Sequence, residues 1–197
     1  DQTLFADFRQ NGTLIAVTIT SVGGTPEELK SPTYIPKKGR IFFIEQDGPD
    51  NGWQTKFKDV TAEFLTDDTG CYSFRRLLIT DVNNDGKPDI VGACHGTDIP
   101  EFQQNLLYHL EPSRLYLSTE SGRYTNTEIP GTVGYAHGGT VGDINGDDNV
   151  DLILGRLGIW NEHTALLVFM GDGNGNFVID NSRVALKGAT GSIGYAI

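Results

Sequence analysis

The chain has 197 residues, of which 38% are hydrophobic and 21% are charged, and this balance predicts a folded domain rather than a disordered tail. Its formal net charge of −11, without any cluster of Lys and Arg, argues against a nucleic-acid partner. The apolar runs fall far short of the roughly 20 residues of a membrane span, so we expect no membrane insertion.

Internal repeats and 25 glycines predict an all-β fold of short strands joined by tight turns. The segment "DVNNDGKPDIVGA" from Asp81 returns as "DINGDDNVDLILG" from Asp143. A hydrophobic strand, a glycine turn and an aromatic residue follow each copy, which is typical of a hairpin. Each unit is therefore predicted to have four short antiparallel strands, with the acidic loop between the first two. We place the units at about residues 1–66, 67–130 and 131–190, with the first strand of a fourth at 191–197.

The first unit contains a decayed copy of the loop, "DFRQNGTLI" from Asp7. It keeps the first Asp and the Gly, but places Arg9, Asn11 and Ile15 where the later copies carry oxygen ligands. A cationic Arg and an apolar Ile should abolish metal binding there. Asn11 also begins an Asn-Gly-Thr sequence, which makes it a candidate glycosylation site in a secreted protein.

The second and third units carry an oxygen-bearing side chain at alternate loop positions, which is the spacing that calcium requires. Carboxylates this close together repel one another unless a cation lies among them. The sequence therefore predicts two Ca²⁺ sites. The predicted ligands are Asp81, Asn83, Asp85, the carbonyl of Lys87 and Asp89 in one loop, and Asp143, Asn145, Asp147, the carbonyl of Asn149 and Asp151 in the other.

Three alternatives compete with the calcium assignment. An EF-hand is excluded because position 12 is Gly92 or Leu154, not Glu. Magnesium is less favoured because it usually keeps several waters. Turns stabilised by their own Asx side chains without metal are the remaining alternative. In the loop of the third unit, position six is Asp148 instead of Gly, and Asp tolerates the left-handed backbone that this position needs.

The two cysteines, Cys71 and Cys94, do not lie opposite each other in the predicted hairpin. Two buried thiols are therefore expected in preference to a disulfide, although a disulfide is not excluded.

Antiparallel units place the acidic loops at one end and their longer connections at the other. Aromatic and histidine side chains collect in those connections and predict a ligand face for a protein or glycan partner. Packing between units is the alternative role for the aromatic residues. The candidates are His95, Tyr108, His109, Tyr135, His137, Trp160 and His163. We see no catalytic motif and expect a non-catalytic protein, although His95 and His137 clustered with a carboxylate would support an enzyme.

The two intact loops and their hairpins, such as "LLVFMGDGNGNF", resemble FG-GAP or VCBS repeats, the blades of calcium-binding β-propellers such as the integrin α-chain head. The segment "FKDVTAEFL" resembles the family's blade-to-blade connection. The resemblance implies four-stranded blades around an axis, with calcium in each intact loop. Because calcium is abundant outside cells, we expect an extracellular or cell-surface module for adhesion, assembly or recognition. A lectin-like propeller, or a non-catalytic part of a larger secreted enzyme, is the alternative.

Three blades cannot close a ring, since closed propellers have about four to eight. An unpaired strand at 191–197 would be an open edge that recruits other strands. We therefore expect either part of a longer propeller or self-association through open blade edges.

Overall fold

The structure is a computed structural model that describes residues 2–20, 38–96, 110–156, 166–180 and 182. Within these residues, twelve strands form three four-stranded antiparallel sheets, each with its strands in chain order. Sheet 1 comprises β1 (Thr3–Ala6), β2 (Ile15–Ile19), β3 (Ile41–Asp47) and β4 (Lys56–Asp59). Sheet 2 comprises β5 (Phe74–Thr80), β6 (Asp89–Cys94), β7 (Arg114–Ser118) and β8 (Tyr124–Glu128). Sheet 3 comprises β9 (Ala136–Gly142), β10 (Asp151–Arg156), β11 (Leu166–Gly171) and β12 (Phe177–Ile179).

The three sheets stand side by side with their first strands as neighbours, because β5 lies against both β1 and β9. This confirms the predicted all-β fold of three four-stranded antiparallel units. The sheets do not close into a ring within the described part of the chain, and the predicted strand at 191–197 lies outside it. None of the helices among the described residues is long and apolar enough to cross a membrane.

Two hydrophobic cores hold the sheets together, one on each side of sheet 2. The first core joins sheets 1 and 2 and is dominated by the rings of Phe8, Phe43, Phe64 and Tyr124. The second core joins sheets 2 and 3 and includes Val91, Leu115, Leu152, Leu154 and Phe169.

Strand β6 is buried along its whole length because sheet 2 lies between the other two sheets. Successive side chains of a strand point to opposite faces. Ile90 and Cys94 accordingly belong to the first core, whereas Val91 and Ala93 belong to the second. The continuous hydrophobic run in the sequence therefore reflects two covered faces.

The connection from sheet 1 to sheet 2 contains the short helix α1 (Thr61–Phe64). Asp59 lies just before this helix, and its carboxylate accepts a hydrogen bond from the Thr61 N–H at 2.8 Å. The Thr61 hydroxyl accepts a hydrogen bond from the Phe43 N–H at 2.9 Å. The Phe64 ring stacks on the Phe43 ring. The connection thus packs into the first core. A 3₁₀ turn (Gly52–Gln54) lies in the β3–β4 hairpin.

The two cysteines correct one expectation, because Cys71 and Cys94 form a disulfide with their Cα atoms 5.5 Å apart. Cys94 pairs with Phe74 at the end of the β5–β6 ladder, and Cys71 lies beyond that end. The chain bends at Tyr72 and Ser73, and the His95 N–H donates to the Ser73 carbonyl at 2.8 Å. The two cysteines do not lie opposite each other in the ladder, and the bridge instead joins Cys94, at the end of β6, to a residue that precedes β5.

Candidate metal loops

Three equivalent loops join the first and second strands of the sheets. We call them loop 1 (7–15), loop 2 (81–89) and loop 3 (143–151). In each, the fourth and sixth residues adopt the left-handed backbone conformation, including Asp148 as the sequence predicted. The φ values are 54° and 84° for Gln10 and Gly12, 58° and 80° for Asn84 and Gly86, and 81° and 67° for Gly146 and Asp148.

The carboxylate of the first residue closes each loop by accepting backbone N–H groups from the fifth and sixth residues. In loop 2, Asp81 accepts from Asp85 at 3.1 Å and from Gly86 at 2.7 Å. The equivalent pairs are Asp7 with Asn11 (3.0 Å) and Gly12 (2.7 Å), and Asp143 with Asp147 (3.2 Å) and Asp148 (3.0 Å). The loop path is therefore present in loop 1 although its ligand set is not.

The ninth residue separates loops 2 and 3 from loop 1. Asp89 and Asp151 are fully buried. Each accepts N–H groups from the second residue of its loop and from the third strand of its sheet, across 2.7–2.9 Å. The donors are Val82 and Ser118 for Asp89, and Ile144 and Gly171 for Asp151. Ile15 takes this place in loop 1 and is buried in the first core.

Electrostatics differ among the carboxylates. Burial raises the pKa of Asp89, against hydrogen bonds from Ser118 and Val82 that lower it. Burial also raises the pKa of Asp85, but the Lys87 N–H, the Ser118 hydroxyl and the Lys87 charge outweigh it, so that this pKa is lowered. The Lys87 ammonium lies 3.6 Å from Asp85 Oδ2 and donates to the Thr119 carbonyl at 2.9 Å.

The donor set of loops 2 and 3 fits a hard divalent cation. Every candidate ligand atom is a carboxylate, amide or carbonyl oxygen, which calcium prefers. The Asp81 carboxylate accepts two N–H bonds and has lone pairs for about two further contacts. The three carboxylates at the ligand positions of each loop are not all within 4.8 Å of one another, so an ion would draw at least one of them inward.

Loop 1 carries its own cation instead of a ligand set. Arg9 pairs with Glu63 at 2.7 Å and with Glu45 at 3.4 Å, and its guanidinium lies over the Phe64 ring. Asn11 is exposed, and its Oδ1 accepts the Thr13 N–H at 3.0 Å. Glycosylation of Asn11 stays a prediction.

At the opposite end of the sheets, three of the seven candidate ligand-face residues come together. The His95 ring lies 4.4 Å from that of His137 and 4.7 Å from that of Tyr135, centroid to centroid. His95 and Tyr135 are buried, and His137 is half-buried, so these rings pack within the protein. The other four candidates, Tyr108, His109, Trp160 and His163, lie outside the described residues.

Sequence reasoning missed Glu111, a buried carboxylate beside the disulfide. Its Oε1 accepts the Tyr72 N–H, and its Oε2 lies 3.6 Å from the Lys38 ammonium. Glu111, Cys71 and Cys94 have side-chain ligand atoms within 4.8 Å of one another, and no other such group of His, Cys, Asp or Glu exists among the described residues. Among the described residues, neither His95 nor His137 belongs to such a group. Glu111 lies in a variable connection, where no repeat pattern points to it.

The repeated sheets and shared loops define a protein built from β-sheet repeats, the kind of unit that forms β-propeller-type modules. In agreement, residues 81–154 match the model of a family described as an FG-GAP-like repeat. The match begins at the first residue of loop 2 and ends in β10, so it contains loops 2 and 3. Neither the search of curated proteins nor the search of solved structures gave a match.

Proposed function

We propose that this chain is a calcium-stabilised repeat module that acts outside the cell in adhesion, assembly or recognition, without catalysis. One observation carries the calcium assignment: loops 2 and 3 share a backbone path and an all-oxygen donor set, and loop 1 keeps the path but lacks the set. A fold that only needed an Asx turn would not require carboxylates at three ligand positions in each of two loops, since loop 1 folds with one.

The residues would hold the ion in defined roles. Asp81 and Asp143 close their loops, while Asp89 and Asp151 fix the ninth position to the third strand. Calcium supplies positive charge that offsets the repulsion among these carboxylates. Because it binds the folded loop and not the unfolded chain, it stabilises the fold by RT ln(1 + [Ca²⁺]/Kd) per site.

An exposed apolar side chain supports assembly or a longer propeller. The second residues of loops 1 and 2, Phe8 and Val82, are buried against the following sheet. The equivalent Ile144 of loop 3 is 44% exposed. A further sheet, from more of the same protein or from another copy, would cover it.

Native mass spectrometry in calcium buffer tests both parts of the proposal. We expect two ions per chain, one ion for Asp85→Ala or Asp147→Ala, and two for the matched loop 1 variant Asn11→Ala. An unchanged count in the first two variants would overturn the calcium assignment. Multimers would identify self-assembly as the function, whereas a monomer would favour part of a longer propeller.

A further inference from the structure

Neighbouring loops are joined by the side chain at their fourth position. Gln10 of loop 1 donates through Nε2 to the Gly86 carbonyl of loop 2 at 2.8 Å. Asn84 of loop 2 donates through Nδ2 to the Asn149 Oδ1 of loop 3 at 3.0 Å. The fourth residue of loop 3 is Gly146, which has no side chain to continue the series. The contacts therefore run in one direction, from loop 1 to loop 3.

Both donors occupy a costly backbone conformation. Gln10 and Asn84 have φ values of 54° and 58°, where glycine is easiest to place and a long side chain such as Gln is uncommon. A residue persists in such a conformation when its surroundings hold it there. For Gln10 and Asn84, the contact with the next loop adds to the hydrogen bonds by which the first Asp closes each loop.

The acceptors are not themselves candidate ligand atoms, but each lies next to one. Gly86 stands between the candidate ligands Asp85 and Lys87, and the accepting Oδ1 of Asn149 belongs to the residue whose backbone carbonyl is a candidate ligand of loop 3. The β11–β12 turn also covers the hydrogen bond between Asn84 and Asn149. A Cβ at Gly173 would clash with Asn149 Oδ1 and lie 2.7 Å from Asn84 Nδ2. An ion that orders either loop would therefore order groups that the other loop contacts.

We infer that these contacts couple the loops: loop 1 is a metal-free support that pre-organises loop 2, and Asn84 links calcium binding in loops 2 and 3. The inference rests on the proposed calcium function. Ordering one loop lowers the entropy cost of ordering its neighbour, so the coupling is positive and reciprocal. A single exposed hydrogen bond corresponds to a coupling of about two- to tenfold in affinity.

Calcium titration calorimetry of wild type, Asp85→Ala, Asn84→Gly and the double variant tests the link between loops 2 and 3, and Asn149→Ala provides an independent check. In the wild-type background, Asp85→Ala should empty loop 2 and weaken loop 3 by about two- to tenfold. In the Asn84→Gly background, Asp85→Ala should leave the loop 3 Kd unchanged. Glycine suits this position because Gly146 holds it in loop 3. Asn149→Ala removes the acceptor without touching the loop 2 backbone and should abolish the coupling equally.

The outcomes separate the two proposals. If wild-type protein binds two ions but Asp85→Ala leaves the loop 3 Kd unchanged, the coupling is overturned while the calcium function stands. Coupling that persists in Asn84→Gly would overturn the role of Asn84. Wild-type protein that binds no calcium would overturn both.

Loop 1 is tested with Gln10→Gly, which removes the donor and relaxes the backbone. We expect loop 2 affinity, measured in the Asp147→Ala background, to fall by about two- to tenfold. Loop 3 affinity, measured with Asp85→Ala, should stay the same. Unchanged loop 2 affinity would overturn the support role of loop 1.

Discussion

Asp89 and Asp151 occupy the same place in sheets 2 and 3, and each buried carboxylate joins the start of its loop to the third strand of its sheet. The last candidate ligand of each loop is thus already a structural residue without an ion. Asp85, in contrast, is exposed and bonds mainly within its own loop and to the Ser118 hydroxyl. The carboxylates of one loop therefore have separable roles.

Asp89→Ala should lower the free energy of unfolding by about 2 kcal/mol even in chelator, because two buried N–H groups lose their acceptor. This loss of stability is partly offset because the variant no longer has to bury a carboxylate in the folded state. Asp85→Ala should lose the loop 2 ion as well, but cost clearly less in chelator. Urea denaturation in EDTA measures the cost of each substitution without an ion, and urea denaturation in calcium adds the effect of losing the loop 2 ion. Equal cost for the two variants in EDTA would contradict the separation of roles.

Asp148 offers a reciprocal test of the sixth loop position, since Gly86 holds the same place in loop 2. Asp148→Gly should raise stability in EDTA by about 0.5–1 kcal/mol, because glycine adopts positive φ without a Cβ penalty. Gly86→Asp should cost a similar amount, and its Cβ has room, with Gln10 Nε2 4.0 Å away. Thermal unfolding of both variants measures these changes in stability. Changes of the same sign in the two variants would refute the equivalence of the two positions.

The repeat pattern predicted the three sheets and their loops because both depend on local spacing. Strand alternation, the glycine turns and the loop oxygens all lie within one unit, and Asp148 could be assigned from its loop position alone. Contacts between units could not be predicted in this way. The Cys71–Cys94 bridge depends on the bend of the chain before β5, and the Asn84–Asn149 bond depends on how two sheets stand side by side.

The disulfide should be a substantial source of stability because it closes a segment with a sequence separation of 23 residues. Replacing both cysteines by alanine is expected to cost about 3 kcal/mol, chiefly through the larger entropy of the unfolded chain. Urea denaturation measures this cost. Wild-type protein unfolded and refolded with reductant serves as the matched control and should lose a similar amount. Alkylation of both cysteines in unreduced, denatured protein would contradict the bridge.

Glu111 predicts a specific pH dependence. Burial raises its pKa, opposed by the Tyr72 N–H and the Lys38 ammonium. A carboxyl group whose folded-state pKa is raised contributes stability that is fully present below its unfolded pKa, near 4.5, and is lost as pH rises through the folded value. The stability of wild type relative to Glu111→Gln should therefore fall as pH rises above about 4.5.

Lys38→Met provides the second variant for this test. Without the ammonium, the pKa of Glu111 should rise further, so the loss of stability should extend to higher pH. Denaturation curves of both proteins from pH 4 to 8 would show whether the loss of stability moves to higher pH in Lys38→Met. A wild-type to Glu111→Gln difference that stays constant over this range would show that burial does not perturb Glu111.

The first core should hold sheets 1 and 2, and with them loops 1 and 2, in position. The Phe43 ring is fully buried and lies 4.6 Å from that of Phe64, stacked, and 5.1 Å from that of Phe8, edge-on. Phe43→Ala should therefore cost about 3–5 kcal/mol by leaving a cavity between the sheets. Phe57→Ala is the matched control, because Phe57 lies in the same sheet but is 65% exposed, and it should change stability by less than about 0.5 kcal/mol. Equal costs for the two variants in urea denaturation would mean that the sheets do not pack through this core.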